Sequence, residues 1–437
     1  MSDKKRPSHA SDPASTAGLV SWALYDWANS AFVTVVQTFV FAAYFTRQVA
    51  ATETAGSAWW GYTIGAAGLA VALAGPILGA TLDHSGRRKP WIAGFTLICT
   101  IGTALLWFVE PAPTYMTVAV PAIWISVTAY ELSAMIYNAV LPQIAPPDRV
   151  GRWSGWGWGL GYAGGLTCLV LCLVFLVRPD PAWFGLQRDS AQHIRATFLL
   201  VAVWYGLFAL PMFLFTPDTP STGRSLSEAF RAGLGQLRDS IRNVRHYASL
   251  LRFLIARMVY VDGLATLFAF GGVYASGTFQ MNEEKVLLFG IALNVTAGLG
   301  ALAFSWVDDW IGGKRTILIS LTGVILPGTV MLFTASPVVF WACGLLLGIF
   351  VGPIQAASRS YLARTAPSDL RNQMFGLYTF SGKATAFVGP FCVGWLTHLS
   401  GSQRVGMTTI IVFLTAGFLM MLFIPNDKTS SRVPADG

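Results

Sequence analysis

From residue 19 to residue 424 the chain alternates between long apolar runs and short polar stretches. A helix needs ~20 predominantly apolar residues to cross a bilayer. Twelve runs answer that demand, at roughly 19–46, 58–82, 91–110, 115–141, 154–177, 195–215, 252–279, 286–307, 316–335, 338–362, 374–399 and 405–424. The pattern predicts an all-α membrane protein of twelve transmembrane helices.

The polar stretches carry a second regularity. Asp83-His84-Ser85-Gly86-Arg87-Arg88-Lys89 follows the second run, and Asp309-Trp310-Ile311-Gly312-Gly313-Lys314-Arg315 follows the eighth. Asp83, Gly86, Arg88 and Lys89 align with Asp309, Gly312, Lys314 and Arg315 at an offset of 226. Ala145-Pro146-Pro147-Asp148 recurs as Ala366-Pro367-Ser368-Asp369, and Gly155 as Gly376, at an offset of 221. Two loops repeating at nearly one offset predict two copies of a six-helix unit, an organisation typical of transporters. The expected plan is a disordered cytosolic tail (1–17), a six-helix bundle (18–216), a linker (217–250), a second bundle (251–425) and a cytosolic tail (426–437).

Only 11% of the residues are charged and 54% are hydrophobic, whereas an ordinary soluble protein carries about 25% charged residues. The net charge of +8 does not point to nucleic acid, because the cations sit in short loops at the height of lipid headgroups. About 21 of the 29 Lys and Arg fall in the tails and even-to-odd loops, and about six in the odd-to-even loops. The positive-inside rule then puts both termini and both basic loops in the cytosol. Trp59, Trp60 and Trp183 near outer ends, and Trp22, Trp153 and Trp310 near inner ends, read as aromatic belts. The first 17 residues, with Lys4, Lys5 and Arg6, lack the apolar core of a secretory signal. A bacterial inner membrane is the expected location. The five cysteines, Cys99, Cys168, Cys172, Cys343 and Cys392, lie inside apolar runs without metal-ligand or redox spacing and read as packing residues.

The linker begins with the breaker cluster Thr216-Pro217-Asp218-Thr219-Pro220, followed by a capping box, Ser225-x-x-Glu228. Leu226, Phe230, Leu234, Leu237, Ile241 and Val244 recur at helical spacing, flanked by Arg231, Arg238, Arg242 and Arg245. This predicts an amphipathic helix on the inner membrane surface. In the fifth run, Gly159-Leu160-Gly161-Tyr162-Ala163-Gly164 matches the dinucleotide fingerprint GxGxxG. That fingerprint needs a preceding strand and an exposed turn, and here it lies inside a membrane helix. Gly157, Gly161 and Gly165, like Gly344, Gly348 and Gly352, share a helix face and predict close helix contacts.

Two six-span halves with a basic loop after the second span of each resemble the major facilitator superfamily, whose loop signature is roughly G-x-x-x-D-x-x-G-R-R/K. Gly79 to Lys89 fits it, while the second copy has Ser305 in place of Gly79 and Gly313 in place of Arg87. Tyr25-Asp26-Trp27-Ala28-Asn29-Ser30-Ala31-Phe32 is similar to the branch that includes the vacuolar amino-acid effluxer of autophagy. Tyr137 to Pro142, Tyr260 to Gly263, Gln355 to Ser360 and Phe375 to Tyr378 resemble the same branch. The resemblance implies small-solute transport by alternating access, with amino acids as the best-known cargo class and no cofactor.

Ionisable residues inside spans are costly and mark function. Asp26 and Asp262, each near a preceding tyrosine, look like counterparts in the two repeats. Glu131 and Lys383 lie deep in the fourth and eleventh spans. An acid and a base facing one cavity suit a zwitterion, an amino acid or a short peptide, and a desolvated carboxylate can carry a proton. The candidate cargo-binding or proton-coupling set is Asp26, Asn29, Glu131, Asp262, Asn294, Gln355 and Lys383. The candidate gating set is Asp83, Arg87, Arg88, Asn138, Asp309, Lys314, Arg315 and Arg359. Asp83 and Asp309 can each face the positive N-terminal end of a helix of the other half. The first, complete copy is expected to hold the inner gate more firmly. Rival readings are a lipid or drug exporter, a non-transporting sensor, or a membrane enzyme. No HExxH or GxSxG string supports the last. No metal or cofactor is expected; the partners are a small solute, protons and membrane lipids, acting on a monomer.

Overall fold

The computed structural model describes residues 15–242, 247–281 and 283–426, and these contain helices and loops but no strand. Lys4, Lys5, Arg6, Val244, Arg245 and most of the two predicted tails lie outside the described residues. Eleven helices are long and apolar enough to cross a membrane. They are α1 (Thr16–Val49), α2 (Glu53–Ser85), α3 (Lys89–Leu105), α4 (Met116–Ile144), α5 (Val150–Leu171), α6 (Gln192–Phe215), α8 (Ala248–Phe279), α9 (Glu283–Ile311), α10 (Gly313–Phe333), α11 (Pro337–Thr365) and α14 (Gln403–Leu422). The linker helix is α7 (Leu226–Arg242).

The eleventh crossing differs from its prediction. The run at 374–399 is two helices, α12 (Arg371–Lys383) and α13 (Val388–Ser400), joined by the non-helical Ala384-Thr385-Ala386-Phe387. Pro390, in the first turn of α13, fits the stop. A proline ring there clashes with the carbonyl four residues earlier and removes a ladder donor, but is tolerated in a helix's first turn. The apolar run is continuous in sequence; the break is a backbone event.

The two basic loops turn alike. Gly86 and Gly312 both have φ of +89°, a region open to glycine and closed to most side chains. This is why glycine recurs at that place. After the turn, Lys89 Nζ donates to the Thr216 carbonyl (2.7 Å) at the end of α6. Lys314 Nζ donates to the Leu422 carbonyl (3.0 Å) at the end of α14. Each cation thus meets the negative end of the last helix of its own half.

The halves meet along two seams, α2 against α12 and α5 against α9. Gly79 opens the first: a Cβ there would overlap the Asn372 carbonyl. Gly157 and Gly161 face Asp26 and Ser30 of α1, while Gly344, Gly348 and Gly352 face α9, so both four-residue glycine series are contacts between helices. Trp22 is fully buried rather than part of a belt, stacked on Tyr137 at 4.6 Å. Trp59, Trp183 and Trp310 are exposed.

The linker helix packs on α2 through Ala229 and Gly233. Its Leu226, Phe230 and Leu234 face outward. The capping box closes reciprocally: the Ser225 N–H donates to Glu228 (2.9 Å) and the Glu228 N–H to Ser225 Oγ (3.3 Å). Those bonds hold the exposed Glu228 carboxyl below its ordinary range. Ser225→Ala is expected to cost about 1 kcal/mol of helix stability, seen as faster amide exchange over 226–242 with no change elsewhere.

Candidate functional site

The Asp83 carboxylate sits at the N-terminus of α12, in the opposite half. Its Oδ1 accepts from the Asn372 backbone N–H (2.9 Å) and side-chain amide (2.7 Å), and its Oδ2 from the Gln373 N–H (2.9 Å). A helix leaves its first N–H groups without partners inside the helix, and α12 has no side-chain cap of its own. Asp83 supplies that cap from across the seam. Asp309 lies at the corresponding place on α5, where a Cβ on Gly151 would come within 2.7 Å of its Oδ1. Gly151 and Arg152 precede Asn372 and Gln373 by the same 221 residues that relate the loops. Both loop acids thus stand at the start of a helix of the other half.

The second latch also carries charge. Arg364 bonds Asp308 (2.8 Å) and Asp309 (2.9 Å), and Arg152 lies 3.7 Å from Asp309. Asp308 also accepts from Ser360. The second copy, incomplete by signature, carries more ion pairs among the described residues. Its lost arginine is answered by Arg364 and Arg152 from neighbouring helices. Arg88 is buried and donates to the Ala139 carbonyl (3.0 Å). Burial pushes its guanidinium down to about 10, which leaves it charged at neutral pH. Asp218, at the start of the linker, caps α3 by accepting from the N–H groups of Arg88 (2.9 Å) and Lys89 (3.3 Å). Arg87 and Arg315 are exposed and stand apart from this geometry.

One layer deeper, Arg359 ties the halves together. It is 3% exposed. Its Nη1 contacts Asp26 (3.1 Å) and Asn138 (3.0 Å), Nε donates to Ser154 Oγ (2.9 Å) and Nη2 to the Ser154 carbonyl. The guanidinium lies 5.0 Å from the Trp22 ring centroid. A Cβ on Gly157 would come within 2.5 Å of Asp26, so glycine there makes room for the pair. Asn138 and Arg359, one offset of 221 apart, are direct partners. The structure brings Asp26 to this cross-half cluster.

Glu131 of α4 and Lys383 of α12 form a second bridge between the halves, 2.8 Å apart. Their side chains are 17% and 36% exposed, so the pair is not sealed in the core. Lys383 is the last residue of α12 and lies at the break, where a helix C-terminus favours a cation. Asp262 stays in its own half, 2% exposed, and accepts from the Gly389 N–H at 3.3–3.4 Å. Asp26 directly follows Tyr25, whereas Asp262 stands two after Tyr260. At ~100° per residue, that extra step turns Asp262 away from the other half. Asn294 donates back to the Gly290 carbonyl of its own helix (2.8 Å). Asn29 is buried and Gln355 half-buried.

The hydrogen bonds and ion pairs described between the halves lie on the side carrying residues 15 and 426, or near mid-depth. That side is closed. Gly79→Ala is expected to reopen it, because the added methyl overlaps backbone that cannot rotate away. Chemical labelling of a cysteine placed at Gln373 should rise at least tenfold with little loss of thermal stability; unchanged labelling would count against the seam as the seal.

A model of the family described as vacuole effluxer Atg22 like matches residues 45–433. An uncharacterised MFS-type transporter of Bacillus subtilis (strain 168), YxiO, is 26% identical over 416 residues, 94% of this chain and 96% of that protein. Autophagy-related protein 22-1 of Phaeosphaeria nodorum is 24% identical over 444 residues, 86% of this chain and 78% of that protein. The chain spans 50% of the length of autophagy-related protein 22 of Cryptococcus neoformans. Among solved structures, the MFS proton:xylose symporter XylE bound to 6-bromo-6-deoxy-D-glucose aligns with a TM-score of 0.70 at 15% identity, covering 94% of this chain and 96% of that one. The human organic anion transporter MFSD10 aligns with a TM-score of 0.72 at 14% identity, covering 93% and 99%.

Proposed function

The chain belongs to the Atg22-like vacuole effluxer family of major facilitator superfamily transporters, and from that membership we propose that it moves a zwitterion, an amino acid or short peptide, by proton-coupled alternating access. The Glu131–Lys383 pair carries this reading. A zwitterion offers an ammonium for Glu131 and a carboxylate for Lys383, so bound cargo replaces each partner's lost contact. A neutral or purely apolar cargo leaves both charges unpaired in a low-dielectric space, a costly outcome. The pair joins the halves, so the cargo that separates it also loosens the closed arrangement.

Proton coupling falls to Glu131. Its carboxylate is partly exposed and loses its cationic partner whenever cargo takes Lys383. Asp26 and Asp262 are each engaged by Arg359 and Gly389 and serve the gate and the fold first. Cation distribution favours the closed side as cytosolic in a bacterial inner membrane. On that orientation the structure is the outward-facing state. The test is uptake and counterflow in proteoliposomes with a panel of amino acids and short peptides, with and without a pH gradient. Saturable flux of at least one zwitterion, enhanced by the gradient, is expected. A panel without any flux ends the zwitterion reading, and flux indifferent to the gradient ends the proton reading.

A further inference from the structure

The break in the eleventh crossing leaves two helix ends inside the membrane, where unpaired backbone groups have no water to turn to. One neighbouring helix serves both ends. Arg257 and Asp262 stand five residues apart on α8. Arg257 Nη1 donates to the Tyr378 carbonyl (2.8 Å) and to Ser381 Oγ (3.0 Å), in the last turns of α12. Its guanidinium lies 3.4 Å from the centroid of the Tyr378 ring. Asp262 accepts from the Gly389 N–H at the start of α13. A cation thus meets the negative end of one half-helix and an anion the positive end of the other.

Two glycines flanking the break permit these approaches. A Cβ on Gly382 would come within 3.0 Å of Arg257 Nη1, and one on Gly389 within 3.0 Å of Asp262 Oδ1 and into Thr266. Arg257 is 7% exposed, and among the described residues no carboxylate pairs with it. Its counter-charge is the C-terminal end of α12 itself. Lys383, the residue after Gly382, is the last of that helix.

From this juxtaposition we infer that Arg257 and Asp262 are positioning residues that hold the break in the eleventh crossing and thereby aim Lys383 at Glu131. The consequence for cargo rests on the transport reading above; the clamp does not. Without Arg257, the end of α12 loses two donors and its balancing charge, so the break shifts or rewinds and Lys383 moves along the helix axis.

Two measurements separate the two layers. The first needs no cargo. A cysteine is placed at Ala386, within the break, in a background lacking the five native cysteines, and alkylated by a membrane-impermeant maleimide from the open side. Arg257→Gln and Asp262→Ala are each expected to change the rate threefold or more, and Arg257→Lys to return it toward the parent. A smaller change in both overturns the clamp. Should those variants fail to fold, Ser381→Ala removes one acceptor and no charge; a twofold change supports the clamp and a lesser one overturns it. The second measurement is counterflow. Arg257→Gln is expected to raise KM at least tenfold with maximal rate held within threefold, whereas a merely structural defect lowers the amount of active protein and leaves KM alone. An altered labelling rate with no flux in the parent protein keeps the clamp and removes the transport reading instead.

Discussion

Arg359→Ala is expected to abolish flux and to cost about 3–5 kcal/mol of folding stability, the usual penalty for stripping one member from a buried ion pair. The side chain is 3% exposed and makes its contacts with Asp26, Asn138 and Ser154 at one point of the seam. Its removal leaves the Asp26 carboxylate facing Gly157 with no counter-charge. The cost belongs to the abandoned charge more than to the lost contact, and a double variant separates them. Asp26→Asn with Arg359→Gln should be less destabilised than either single change, because two neutral partners can still hydrogen-bond. Thermal unfolding of the four proteins in detergent reads the cycle. Strictly additive losses would mean that the pair is not energetically coupled.

The second large effect is at Lys383. Lys383→Ala removes the only cation described beside Glu131. Loss of a charge-assisted hydrogen bond to cargo costs about 2–3 kcal/mol, which raises KM about 30- to 150-fold. Glu131→Gln differs in kind. It keeps a hydrogen-bonding group of nearly the same shape and loses the proton site, so counterflow should persist while accumulation driven by a pH gradient disappears. Gradient-driven accumulation that survives Glu131→Gln would move the coupling role elsewhere, with Asp262→Asn and Asp26→Asn the next variants to assay.

The architecture was readable because membrane insertion writes itself into composition: long apolar runs, cations on alternate loops and a signature loop repeated after the second and eighth helices. The contacts of the two loop acids were half readable. Asp83 and Asp309 announced themselves by their offset and as acids able to face a helix N-terminus of the other half, but which N–H groups they meet leaves no trace in side-chain identity. Applying the 221-residue offset to Asn372 and Gln373 would have found Gly151 and Arg152. Arg364, Arg152 and Asp308 were missed because each reads locally as an ordinary loop charge, and they pair only through folding. Arg257 was missed for a related reason: about nine residues, or ~14 Å, into α8, it resembles a topology-setting cation. Asp26 and Asp262 show the opposite error. Matching depth suggested matching work, and a one-residue shift against their tyrosines sends them to different neighbours. The break at Ala384 to Phe387 had Pro390 as its one signal, yet Pro76, Pro121, Pro142, Pro211, Pro327 and Pro353 all sit inside unbroken helices.

The cross-seam cap on α12 makes water a participant in the cycle. When the closed side parts, the N–H groups of Asn372 and Gln373 lose Asp83, and α12 has no cap of its own to offer. Solvent must take the vacated positions. Opening is therefore a hydration reaction, and its equilibrium responds to the activity of water on that side as well as to cargo. An osmolyte excluded from protein surfaces, confined to the closed side, should hold the transporter shut and slow exchange, with no solute touching the cargo site.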